Sequence, residues 1–96
     1  MRTPESYEKD EIKKYLESIG AWYCLTFTGG FGKSGNPDIV ACINGTFWGI
    51  EVKREGKSLT VLQGRRIEAI IEAGGMAVGG PADKVIGHIK WWLDGK

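Results

Sequence analysis

Pro37-Asp38-Ile39-Val40-Ala41-Cys42-Ile43-Asn44-Gly45-Thr46-Phe47-Trp48-Gly49-Ile50-Glu51-Val52-Lys53 is the stretch on which the fold turns. Asn44-Gly45 is the strongest short hairpin signal in the chain. On one side of it, residues 38–43 read as a buried strand. On the other, residues 46–53 read as its antiparallel partner, rich in aromatic and β-branched side chains. The pattern breaks where polar groups enter this apolar strand at Glu51 and Lys53. Two residues apart on a strand, these side chains point to the same face.

The turn also fixes what stands across from them. Asp38 lies six residues before Asn44 and Glu51 six after Gly45, so a two-residue hairpin opposes them directly on one face. Asp38, Glu51 and Lys53 are therefore expected to converge. Two carboxylates about 4–6 Å apart repel, and one shared proton or a hard divalent cation relieves the repulsion. Magnesium is satisfied by one or two carboxylates and keeps several waters. A water acidified in this way attacks a phosphodiester, and an adjacent lysine orients or deprotonates it, or stabilises charge on the phosphate. The alternative is a cross-strand ion pair at a solvated strand end, which contributes little.

Upstream, Thr3 and Pro4 suit the N-cap and first position of a helix, and Gly20 suits its stop. Ile12, Tyr15, Leu16 and Ile19 form its apolar stripe. Glu5 and Glu8 each fall about 30° from the centre of that stripe, and Glu11 about 90°. Two carboxylates thus face inward near the helix start, where the helix dipole also favours acids for purely structural reasons. Residues 21–27 read as a strand, followed by a glycine-rich loop, residues 28–36. That loop, Gly29-Gly30-Phe31-Gly32-Lys33-Ser34-Gly35, lacks the spacing of a phosphate-binding P-loop and precedes no helix. It is read as a mobile loop beside Asp38 that contacts a nucleic-acid backbone through Lys33.

Downstream, residues 54–59 form a polar loop. Thr60-Val61-Leu62-Gln63 opens a second helix with a capping-box pattern. Leu62, Ile67, Ile70 and Ile71 supply its apolar positions, and Gly74-Gly75 ends it. Met76-Ala77-Val78 is a short fourth strand closed by Gly79-Gly80-Pro81. A third helix runs over residues 82–93, with Val85, Ile86, Ile89, Trp92 and Leu93 on its apolar face. Trp91 and Trp92 cannot both be buried on one helix face, and the single histidine, His88, is read as structural or exposed. The order α-β-β-β-α-β-α gives an α/β fold, a mixed sheet flanked by helices, because the fourth strand is reached through a helical crossover.

Pro37-Asp38 followed after a hairpin by Glu51-Val52-Lys53 resembles the PD-(D/E)XK nuclease signature, complete and in order. Thr3-Pro4-Glu5, Gly35-Asn36-Pro37-Asp38, Gly49-Ile50-Glu51-Val52-Lys53 and Leu59-Thr60-Val61-Leu62-Gln63 together look like its virus-type replication-repair nuclease (VRR-NUC) branch. The similarity runs from residue 3 to about residue 79. Asn36 departs from the family's commoner apolar residue before the proline. The resemblance implies a restriction-endonuclease-like core and a Mg2+- or Mn2+-dependent endodeoxyribonuclease. Asp38, Glu51 and the Val52 carbonyl would ligate the metal, and Lys53 would be the catalytic lysine. Glu5 best matches the family's first-helix acid, with Glu8 as the fallback, and the helical wheel does not separate the two. Gln63 matches the family's helix glutamine, although it could simply complete the Thr60 cap.

The 96 residues are expected to form one stand-alone domain. With 42% hydrophobic and 26% charged residues, the balance is that of an ordered globular chain. No apolar run is long enough for a membrane span, and the polar start lacks a signal peptide's apolar stretch. The expected compartment is thus a cytoplasm, bacterial or phage-infected. Cys24 and Cys42, far apart in apolar strands, are read as buried reduced thiols. The net charge of +1 excludes a simple polycation. Arg54, Lys57 and Arg65, with Lys53 and Arg66, nevertheless concentrate positive charge beside the motif for a DNA backbone.

So small a chain offers little recognition surface. A homodimer is expected, with paired sites suited to branched DNA such as a four-way junction. The family association adds replication and repair, a phage or prophage source, and an unidentified helicase or recombination partner. Two other readings compete: a restriction-like or degradative nuclease without junction preference, and a non-catalytic nucleic-acid-binding module. The intact acid-acid-lysine set weighs against the last.

Overall fold

The computed structural model describes residues 3–26 and 36–95. The elements run α1 (Pro4–Ser18), β1 (Trp22–Leu25), β2 (Ile39–Ile43), β3 (Thr46–Val52), α2 (Val61–Glu72), β4 (Met76–Gly80) and α3 (Ala82–Asp94), in the expected order. Each boundary has a local cause. The Thr3 hydroxyl accepts the Ser6 N–H at 3.1 Å, Pro4 occupies the first turn of α1, and Gly20 turns the chain out at φ +73°. Asn44 (φ 49°) and Gly45 (φ 78°) both take the left-handed conformation of a type I′ turn, whose twist matches the strands it joins.

The sheet order is β1-β2-β3-β4. β1 and β3 flank β2 antiparallel, while β4 lies parallel to β3 because α2 carries the chain back along the sheet. Strand alternation separates two faces. On one, Ile39, Ala41, Ile43, Trp48, Ile50 and Val52 pack against Ile12 and Leu16 of α1 and Val85 and Ile89 of α3. Each large side chain buried there contributes roughly 1.5–3 kcal/mol. Trp48 is fully enclosed, edge-on to Trp92 and His88. His88 is thus a packing residue, and of the tryptophan pair it is Trp91, 68% exposed, that faces outward.

The other face carries α2. It rides close to the sheet because glycines underlie it. A Cβ on Gly79 would meet Leu59 Cδ2 at 2.6 Å, and one on Gly49 would meet Ile70 Cδ1 at 2.7 Å. Only Ile67 and Ile70 of the four expected apolar positions reach those glycines, while Leu62 and Ile71 are exposed. The Gly79-Gly80 pair therefore belongs to β4 itself rather than to a turn after it.

The cysteines also correct the sequence reading. Both are free and exposed. Cys42 pairs with Trp22 and Phe47 and so points away from the α1/α3 core. β1 ends at Leu25, and the expected strand residue Phe27 and the glycine loop with Lys33 lie outside the described residues.

Candidate active site

The face under α2 is organised in cross-strand rows. Trp22, Cys42 and Phe47 form one row, and Cys24, Val40 and Gly49 the next. Ile39 pairs with Ile50, so the chain entering β2 sets Asp38 beside Glu51, which pairs in turn with Gly79 of β4. The opposition expected from the turn is the observed one.

Asp38 is held from both sides. Its Oδ2 accepts the Val52 N–H at 2.9 Å. Its carbonyl accepts the Thr26 N–H at 2.9 Å, and the Thr26 hydroxyl donates to the Pro37 carbonyl at 2.5 Å. Thr26 thus ties the end of β1 to the Pro37-Asp38 backbone, a role hidden in the sequence because residues 21–27 read as uniform strand.

Glu51 is 5% exposed, the one charged residue in the buried set among the described residues. Its Oε1 accepts the Gln63 amide at 2.6 Å, while its Oε2 is buried with no partner among the described residues. Burial pushes its pKa up to about 8, the Asp38 charge adds to the rise, and Lys53 opposes it. A carboxylate in this state favours a proton or a cation at the orphaned oxygen.

Gln63 completes the helix cap and also reaches Glu51. Its N–H donates to the Thr60 hydroxyl at 3.1 Å, and its Oε1 accepts the Thr60 N–H at 2.9 Å, completing the capping box. A backbone N–H can only donate, so the cap assigns the amide oxygen to Thr60 and leaves the amide NH2 for Glu51.

Lys53, half-buried, follows Glu51 on the same face. Ion pairs join Asp10 to Lys13 and Glu11 to Lys14 on α1, but Lys53 forms none among the described residues. The Lys53 charge nevertheless acts on Glu51, opposing the rise of its pKa. The Lys53 N–H donates to the Gly80 carbonyl at 3.0 Å, continuing the pairing of Val52 with Gly80.

Of the two α1 acids, both half-buried, Glu8 Oε1 accepts the Ala82 N–H at 2.8 Å, at the first turn of α3. Among the described residues no group of three or more His, Cys, Asp or Glu side chains is arranged to hold a metal ion, so neither Glu5 nor Glu8 joins Asp38 and Glu51 in such a cluster. Arg54 and Lys57 are exposed on the turn that leaves Lys53, and Arg65 is exposed on α2. Sequence reasoning gave no distinct place to Arg66. It sits one turn beyond Gln63 and is half-buried, with its Nε enclosed and without a hydrogen-bond partner among the described residues.

No family model matches the sequence, and no curated protein matches it. A solved structure described as a VRR_NUC domain superposes with a TM-score of 0.74 at 24% identity, covering 92% of this chain and 95% of that one. The chain has the fold of a VRR_NUC domain, the mixed sheet flanked by helices that its PD-(D/E)XK-like motif implied.

Proposed function

We propose that this chain is a divalent-metal-dependent DNA endonuclease of the VRR-NUC family, acting as one unit over its 96 residues. The observation that carries the reading is the buried Glu51 carboxylate, with an orphaned Oε2, set beside Asp38. A structural ion pair would not leave an acceptor buried and unsatisfied, at a cost of about 1–3 kcal/mol. A hard cation bound by oxygen satisfies it.

The donor set fits Mg2+ or Mn2+: two carboxylates, Asp38 and Glu51, with the Val52 carbonyl as a further oxygen and Glu5 as the α1 candidate, Glu8 being engaged at the start of α3. Such an ion, when bound, acidifies water and neutralises charge at a scissile phosphate. The chain's own residues do the rest. Gln63 holds one Glu51 oxygen and so directs the other. The Val52 N–H fixes Asp38. Lys53, with no ion pair among the described residues, is available to the attacking water or to the phosphate. Water oxygen bonds to phosphorus, the bond to the 3′ oxygen breaks, and that oxygen takes a proton, leaving a 5′-phosphate and a 3′-hydroxyl.

Arg54, Lys57 and Arg65, with Lys33, would grip the DNA backbone. The substrate proposed is branched DNA, cut by a homodimer. The surface proposed for the second copy is the sheet side beyond α2, where Trp22 (65% exposed) and Phe47 (48% exposed) stand in one row with Cys42. An apolar row needs no charge match across a two-fold axis. Among the described residues no helix is long and apolar enough to cross a membrane. A cytoplasmic compartment is proposed from the polar start of the sequence, and its bacterial or phage-infected setting from the family resemblance. A role in repair or recombination and a helicase or recombination partner rest on the same resemblance.

The test is a manganese titration by calorimetry, with DNA binding measured in chelator alongside. The nuclease reading expects manganese binding that Asp38→Asn abolishes. A non-catalytic binding module instead binds DNA equally well in chelator and takes up no metal.

A further inference from the structure

We propose that Glu8 is a positioning residue for Lys53, acting by clamping the corner between β4 and α3, and is not a metal ligand. The inference rests on the nuclease reading only for the role of Lys53.

α3 begins without a cap of its own. Its N-cap residue is Pro81, whose side chain has no acceptor, and among the described residues the first-turn acid Asp83 accepts only the Lys84 N–H, at 2.8 Å, and not that of Ala82. Glu8 supplies the missing acceptor from a helix 74 residues away in the chain, with its Oε1 2.8 Å from the Ala82 nitrogen. A carboxylate at a helix N-terminus also meets the favourable end of the helix dipole.

The residues it fixes are the ones Lys53 hangs on. Gly80 pairs with Val52 and accepts the Lys53 N–H at 3.0 Å, two residues before Ala82. Gly80 sits at φ +147°, a conformation that L side chains rarely adopt, and the Lys84 stem lies where its Cβ would be. Within the corner itself, Asp83 Oδ1 accepts the Lys84 N–H at 2.8 Å, and among the described residues no side chain except that of Glu8 bonds the Ala82 N–H. The corner is held by the Lys53 N–H on one side and by Glu8, across Pro81, on the other. Loosening the Glu8 end lets the Gly80 carbonyl shift and moves the backbone from which the Lys53 side chain springs. A displacement of 1 Å at a reacting group costs about a hundredfold in rate.

The clamp needs only an acceptor oxygen, which separates it from metal ligation. Glu8→Gln keeps a carbonyl oxygen at Oε1 and loses the charge. Glu8→Ala loses both. Three readouts decide. Amide hydrogen exchange at Ala82 and Lys53, measured in chelator, is expected to speed up about fivefold to tenfold in Glu8→Ala, the size of a lost N-cap, and to stay near wild type in Glu8→Gln. Manganese affinity by calorimetry is expected to be unchanged in both. With DNA, kcat is expected to fall at least tenfold in Glu8→Ala at constant KM, and to be restored largely by Glu8→Gln.

Loss of manganese binding in Glu8→Gln would overturn the proposal and make Glu8 a ligand. Unchanged Lys53 exchange in Glu8→Ala would also overturn it, by showing that the corner does not carry the coupling. If wild type cuts no DNA, the nuclease reading fails by itself, while the exchange data in chelator still decide the clamp.

Discussion

The side-chain amide of Gln63 donates to Glu51 Oε1 at 2.6 Å while its oxygen accepts the N–H of Thr60. One residue therefore starts α2 and aims the buried acid. Gln63→Glu keeps the capping acceptor but sets a second carboxylate against Glu51. The expected outcome is a near-normal helix start and a loss of divalent-ion binding. Gln63→Ala loses both, at about 1 kcal/mol for the cap. Thermal melting in chelator and manganese calorimetry on the two variants separate the effects.

The Glu51 pKa, pushed up to about 8, makes stability depend on pH. The folded chain binds this proton more tightly than the unfolded chain does. Stability without metal is therefore greatest in acid and falls as pH rises from the ordinary carboxylate range through about 8. Melting temperatures between pH 5 and 8.5 in chelator are expected to fall by several degrees. Glu51→Gln is expected to flatten the profile and to melt above wild type at pH 8.

Gly49 faces both Ile70 and Pro37, at 2.7 and 3.0 Å from the position of an added Cβ. The Ile70 tip can turn aside, but the proline ring cannot. Gly49→Ala is expected to cost about 1–3 kcal/mol through overpacking. It is also expected to displace Asp38, the next residue after Pro37. Denaturant unfolding gives the first quantity. Manganese affinity lowered beyond the loss of stability gives the second.

A dimer through the exposed sheet row is sensitive to charge at its centre. Trp22→Arg and Phe47→Arg, both at exposed positions, are expected to leave melting of the monomer nearly unchanged and to shift sedimentation from dimer to monomer. A wild type that sediments as a monomer at micromolar concentration would remove this surface from the account.

Legibility in the sequence followed the range of the interaction. The Asn44-Gly45 turn is local, and counting from it places Asp38 against Glu51 as observed. The capping box is also local and forms as its pattern indicates, whereas the approach of Gln63 to Glu51 was legible only through the family resemblance. The partner of Glu8 is 74 residues distant, and a helical wheel reports only that the side chain turns inward. The cysteines were misread because apolar composition was taken for burial, whereas the alternation of β2 puts Cys42 on the face away from α1 and α3. Gly79 and Gly80 read as a breaker because strand propensity penalises glycine. The close approach of Leu59, Ile67 and Lys84 is what admits no other residue type there without displacement.

The central claim is that Asp38, Glu51 and Lys53 hydrolyse DNA with a divalent ion. Its most direct measurement is cleavage of a labelled four-way junction in manganese, beside matched linear duplex and single strand, by wild type and by Lys53→Ala. The account predicts cutting by wild type that prefers the junction, stops in chelator and is lost in Lys53→Ala. Equal cutting of all three substrates would contradict the junction preference. DNA bound but uncut in every lane would contradict the nuclease itself.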